Sequence, residues 1–135
     1  MDVILALHRA THATLHALGA RLAGLDLAPP DINLLANLAD GERRTVGALA
    51  TATATKPTTL TSALDRLARR GYLLREVDPA DRRSFLISLT PSGEAAAQTV
   101  AAAVRDLERQ ALAAVTEADL AGFHALANAL MEVSR

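Results

Sequence analysis

Four short hydroxyl side chains, Thr58, Thr59, Thr61 and Ser62, stand close together, with Lys56 before them and Arg66 and Arg69 after. Hydroxyls of this size donate and accept hydrogen bonds at close range, and long cations reach anionic groups on either side. A second basic group, Arg82 and Arg83, follows Asp81 in a turn-like stretch. A third set is His8, His12 and His16, repeating every four residues along one side of a helical pattern. Imidazoles one turn apart can share a divalent metal, titrate near neutrality, or line a pocket; they can equally be structural. Only Asp2 supplies a carboxylate close in sequence to the three, so His8 and His12 are the candidate metal pair and all three are candidate pocket residues.

Enzyme chemistry finds little support. The chain has no cysteine, which excludes a disulfide framework, a thiol nucleophile, a thiolate metal site and a thiol-oxidation switch. It also lacks a glycine-rich phosphate loop and a carboxylate pair beside a histidine, so neither catalytic residues nor a cofactor are expected. No run approaches the roughly 18 apolar residues of a membrane span. The N-terminus places His8, Arg9 and His12 inside an amphipathic pattern and does not read as a signal peptide, so a cytoplasmic protein is expected. Net charge is −1, yet it is unevenly spread. Residues 42–83 hold nine basic and five acidic side chains, a balance of +4, and the flanks carry −5. A basic centre between acidic flanks suits a molecule that offers one face to a polyanion.

The elements that must position these groups follow from apolar spacing. Val3, Ile4, Leu7, Leu15, Leu18, Leu22 and Leu25 predict a helix over 3–25. Pro29, Pro30 and Asp31 open a second helix carrying Ile32, Leu35, Leu38 and Ala39, with Gly41 as its stop. Thr45 caps a short third helix to about Ala52, with Val46, Leu49 and Ala50 inward. After Pro57, the residues Leu60, Ala63, Leu64, Leu67 and Ala68 mark the clearest helix, ended by Gly71. Its opposite face carries Thr58, Thr61, Ser62, Asp65 and Arg69.

A strand over 72–77, a turn over 78–83 that puts Arg82 and Arg83 at its tip, and a strand alternating Phe85, Ile87 and Leu89 with polar neighbours predict a β-hairpin. Thr90 and Pro91 open a long helix with Val100, Val104, Leu107 and Ala111 on one side. Thr116 to Asp119 resembles a capping box for a last helix bearing Leu120, Phe123, Ala127, Leu130 and Met131. Helix, short helix, helix and hairpin, in that order, describe a winged helix-turn-helix in a mainly α (α+β) chain. Its second helix fits a major groove about 12 Å wide, and the hairpin reaches the neighbouring minor groove.

Two segments carry a family resemblance. Leu64-Asp65-Arg66-Leu67-Ala68-Arg69-Arg70-Gly71-Tyr72-Leu73, and Asp81-Arg82-Arg83 running on to Leu89-Thr90-Pro91-Ser92-Gly93, resemble the MarR family of transcriptional regulators. The resemblance spans nearly the whole chain as one domain, 1–135. It implies dimerisation helices in 1–27 and 91–135 and a winged helix-turn-helix over 29–90, with its wing at 72–89. It implies a homodimer on a pseudo-palindromic double-stranded DNA operator, commonly a repressor released by a small lipophilic or aromatic effector. It also implies that Arg83 enters a minor groove and that Asp81 braces the wing. The expected DNA-binding set is therefore Lys56, Thr58, Thr59, Thr61, Ser62, Arg66, Arg69, Arg82 and Arg83.

Two departures stand out. Thr53-Ala54-Thr55 replaces the usual apolar-Gly-apolar turn, and Ser62 stands where arginine is frequent. The alternatives are a winged helix used only for protein contacts and a metal-responsive regulator using the histidine stripe.

Overall fold

The computed structural model describes residues 2–135, whose contacts gather into two units, one running to Val104 and one from Arg105 to Arg135. The first unit holds α1 (Val3–Arg21), α2 (Pro29–Leu38), β1 (Arg44–Thr45), α3 (Val46–Thr53), α4 (Pro57–Arg69), β2 (Leu73–Asp78) and β3 (Asp81–Leu89). The unit boundary falls within α5 (Pro91–Leu112), and α6 (Glu117–Val133) lies in the second unit.

In the first unit, a leucine-rich core forms where α2, α3, α4 and the start of α5 meet the sheet. Leu34, Leu35 and Leu38 of α2, Leu49 of α3, Leu60, Leu64 and Leu67 of α4, Ile87 of β3 and Val100 of α5 are all buried. Each such side chain contributes on the order of 2 kcal/mol through burial. On α4 these residues recur at helical spacing and leave the opposite face free for other work. The caps behave as the residue types require. Thr45 Oγ1 accepts the Ala48 amide at 3.0 Å, and Thr116 and Asp119 form a reciprocal pair at 3.1 and 3.2 Å.

Several boundaries differ from the sequence expectation. The helix over 3–25 ends at Arg21, and a 3-10 turn at Ala23–Leu25 follows, closed by Asp26 at φ +50°. The spacing of Leu18, Leu22 and Leu25 suits a helix and a tighter turn alike, so the stripe does not mark the end. The hairpin gains a third strand: Arg44 pairs with Ile87 and Thr45 with Leu86, giving the antiparallel order β1-β3-β2. Two residues are too short to show alternation. On α5 the buried side is Ala96, Ala97, Val100 and Ala103, whereas Val104 and Leu107 are half-buried and Ala111 is exposed. That buried side is therefore made mostly of alanines.

At Gly93, in its first turn, α5 passes close to the backbone of Tyr72. A Cβ there would sit 1.9 Å from the Tyr72 carbonyl oxygen, so only glycine fits. Around it, Thr90 Oγ1 accepts the Gly93 amide at 3.0 Å and donates to the Gly71 carbonyl at 2.5 Å, and Ser92 Oγ donates to the same carbonyl at 3.0 Å. The Leu-Thr-x-x-Gly segment thus clamps the end of α4, where Gly71 turns at φ +77°, to the start of α5.

Candidate nucleic-acid interface

The exposed face of α4 presents Thr58, Thr61 and Ser62, with Arg69 at its C-terminal end and Lys56 at its N-cap. Pro57 at the first helical position removes an amide that would otherwise need a partner. Thr61 Oγ1 donates to the Pro57 carbonyl at 2.9 Å, which leaves its lone pairs as acceptors toward a base edge. Thr59 is less exposed than Thr58, Thr61 and Ser62. It is half-buried and sits in the wall of a cleft against α2, because it lies on the flank of the helix between the polar and apolar faces.

The cations sort into tied and free. Asp31, whose side chain is 4% exposed, takes Arg66 Nη2 at 2.8 Å and Nε at 3.4 Å, and also accepts the Ala28 amide at 3.2 Å. The Asp31 hydrogen bond holds the Arg66 guanidinium above its ordinary pKa. Arg66 keeps 39% of its side chain exposed, yet its donors fix the recognition helix to α2. Arg70 donates to the carbonyls of Leu25 and Asp26 at 2.5 and 2.9 Å and stacks on Tyr72 at 5.0 Å. Arg75 pairs with Asp65 at 2.6 Å, and Arg44 pairs with Asp40. Arg43, Lys56, Arg69 and Arg82 have no side-chain partner among the described residues.

The wing tip is Pro79-Ala80, where the Ala80 amide bonds Asp78 Oδ1 at 2.9 Å. Arg82 and Arg83 therefore begin β3 and do not form the tip itself; the strand starts earlier than the turn chemistry suggests. Arg83 is 92% exposed, and Asp81 Oδ1 accepts its amide at 3.0 Å and its Nε at 3.3 Å. The carboxylate thus directs the guanidinium. Phe85 pairs with Val77 across the hairpin, and both are exposed, since the alternating face outruns the core beyond Ile87.

The three histidines of α1 are exposed, and none lines the cleft described below. Among the described residues, no group of three or more His, Cys, Asp or Glu side chains gathers as a metal site. The three histidines take no part in that cleft: spacing puts the imidazoles on one side of α1, outside its lining. The cleft, about 470 Å³, lies wholly in the first unit. Leu15, Leu18, Pro29, Pro30, Ile32, Ala36 and Val104 make it apolar, and Thr11, Asn33, Thr55 and Thr59 supply its polar atoms. Sequence spacing carried no sign of it, because its walls come from four separate helices and a turn.

Three helices and a hairpin in this arrangement define a winged helix-turn-helix protein. A sequence profile of the MarR family matches residues 25–84. A probable transcriptional regulator from Pseudomonas aeruginosa is 30% identical, with 96% of each chain covered and a TM-score of 0.76. The chain belongs to the MarR family of transcriptional regulators. Two more distant structures share its fold at 23% identity. One is the Bordetella bronchiseptica protein BpsR, TM-score 0.80, covering 96% of this chain and 93% of that one. The other is a cysteine-to-serine mutant of Escherichia coli MarR solved with operator DNA, TM-score 0.79, covering 96% and 94%. No curated protein sequence matches the chain. No helix among the described residues is long and apolar enough to cross a membrane.

Proposed function

We propose that the chain binds a pseudo-palindromic double-stranded DNA operator as a homodimer and regulates transcription, as a repressor released when a small lipophilic or aromatic molecule occupies the cleft. The observation that carries this reading is the hydroxyl face of α4 flanked by cations that the fold leaves unpaired. Thr58, Thr61 and Ser62 are short enough to approach base edges, and Lys56, Arg69, Arg43 and Arg82 are available to phosphates. Arg83, extended and directed by Asp81, suits the strongly negative floor of a narrow minor groove. The E. coli relative was solved on its operator, and the DNA binding of BpsR is regulated by 6-hydroxynicotinic acid, which supports both halves of the proposal.

Dimerisation is supported by apolar surface in each unit. Ile4 and Leu5 of α1 are exposed, and α6 buries none of its residues, leaving Phe123 and Met131 about half exposed at 52% and 55%. A second copy would cover such faces. The direct test is a gel-shift of the purified protein on DNA upstream of its own gene, against random DNA of equal length. Selective retardation is expected; equal binding to both, or none, overturns the reading. The same result separates it from a winged helix that contacts only proteins.

A further inference from the structure

We infer that the cleft takes an uncharged, largely apolar molecule bearing a hydrogen-bond acceptor, and that this acceptor is sensed by the turn between α3 and α4. The inference rests on the proposed effector role of the cleft and specifies the ligand and the switch.

The ligand class follows from the walls. None of the eleven lining residues is charged. A carboxylate entering such a site would lose its water shell with no cation to replace it, a far larger penalty than a neutral oxygen meets. Apolar walls from α1, α2 and α5 favour a hydrocarbon or aromatic body. Its polar side chains are Thr11, Asn33, Thr55 and Thr59.

Two of those polar residues already hold the turn. Asn33 Nδ2 donates to the Thr53 carbonyl at 3.1 Å, and Thr55 Oγ1 donates to the same oxygen at 3.2 Å. Asn37 Nδ2 donates to Asn33 Oδ1 at 3.0 Å, which fixes the amide with its NH2 toward Thr53. The next residue, Ala54, is left-handed at φ +51°, a conformation an L-residue keeps only when its surroundings enforce it. Pro57 and the recognition helix begin three residues later. An acceptor bound in the cleft competes with the Thr53 carbonyl for Asn33 Nδ2 and Thr55 Oγ1. Losing those donors loosens a strained turn and so frees the angle of α4. The effector signal then crosses one turn of chain.

Three probes of nearly equal shape test this on the full chain. Acetophenone is neutral with an acceptor, benzoate is charged, and ethylbenzene has no acceptor. Calorimetry without DNA reads binding, and fluorescence anisotropy on the upstream DNA reads release. Acetophenone is expected to bind at least about tenfold more tightly than benzoate and to weaken DNA binding. Ethylbenzene is expected to bind without releasing DNA. Ala36→Phe, which fills the cleft from α2, should abolish acetophenone binding; Leu15→Phe serves if that variant does not fold. Benzoate binding as tightly as acetophenone, or no probe binding at millimolar concentration, overturns the ligand class. Release by ethylbenzene equal to that by acetophenone overturns the switch at the turn. The calorimetric arm decides the ligand class without DNA. A ligand-free protein that ignores its upstream DNA would instead overturn the regulator reading, and the switch with it.

Discussion

Arg66 and Arg83 are both arginines of the expected DNA-binding set, and their surroundings give them different work. Arg83 is held only by its near neighbour Asp81 and projects into solvent. Arg83→Ala should leave the melting temperature nearly unchanged, within about 0.5 kcal/mol of stability. It should lower the salt slope of operator binding by about one. Arg66 bonds a nearly buried carboxylate that also caps α2. Asp31→Ala should cost about 2 kcal/mol, since it removes charged hydrogen bonds to Arg66 and the acceptor for the Ala28 amide. A thermal melt within a degree of wild type would show that the pair does not anchor α4. Ala54 carries the opposite expectation. Glycine has no Cβ to resist its positive φ, so Ala54→Gly should stabilise the protein by about 0.5–1 kcal/mol, allowing for the freer unfolded chain. A lower melting temperature would place the strain elsewhere.

At the scale of elements, the junction of α4, β2 and α5 governs how the recognition helix and wing are held together. Gly93→Ala forces a Cβ into the Tyr72 carbonyl and should destabilise by about 3 kcal/mol, read by denaturant unfolding. An unchanged midpoint would mean that the junction yields freely. Much of this layer was legible in sequence. The period of Leu60, Ala63, Leu64 and Leu67 located α4, and Thr45, Pro57 and Thr116 marked helix starts that the structure keeps. What stayed hidden depends on partners distant along the chain. Arg66 finds Asp31 across 35 positions, and Asn33 finds Thr53 across 20, with no local pattern to announce either. β1 is too short to alternate, and Thr59 is half-buried because a one-residue step rotates a side chain from the open face to the flank. The histidine stripe was legible as spacing, but spacing does not say which way a helix faces.

For the whole molecule, the near-neutral net charge conceals a concentration of cations in the middle segment, and the fold then divides those cations into structural and available ones. The dimer expected from the exposed apolar residues should be disrupted by Leu130→Glu, giving monomeric or aggregated protein in sedimentation or scattering; a stable wild-type monomer at micromolar concentration would contradict it. The central claim is that the free cations around α4 and the wing meet phosphates while the hydroxyl face reads bases. Equilibrium affinity for the upstream DNA across a salt titration tests that claim most directly. Each chain offers Arg43, Lys56, Arg69, Arg82 and Arg83, so even partial engagement in a dimer predicts a log–log slope of about −4 or steeper. Selectivity over random DNA should persist along the whole titration. A slope near zero, or affinity indifferent to sequence at every salt concentration, would contradict the account.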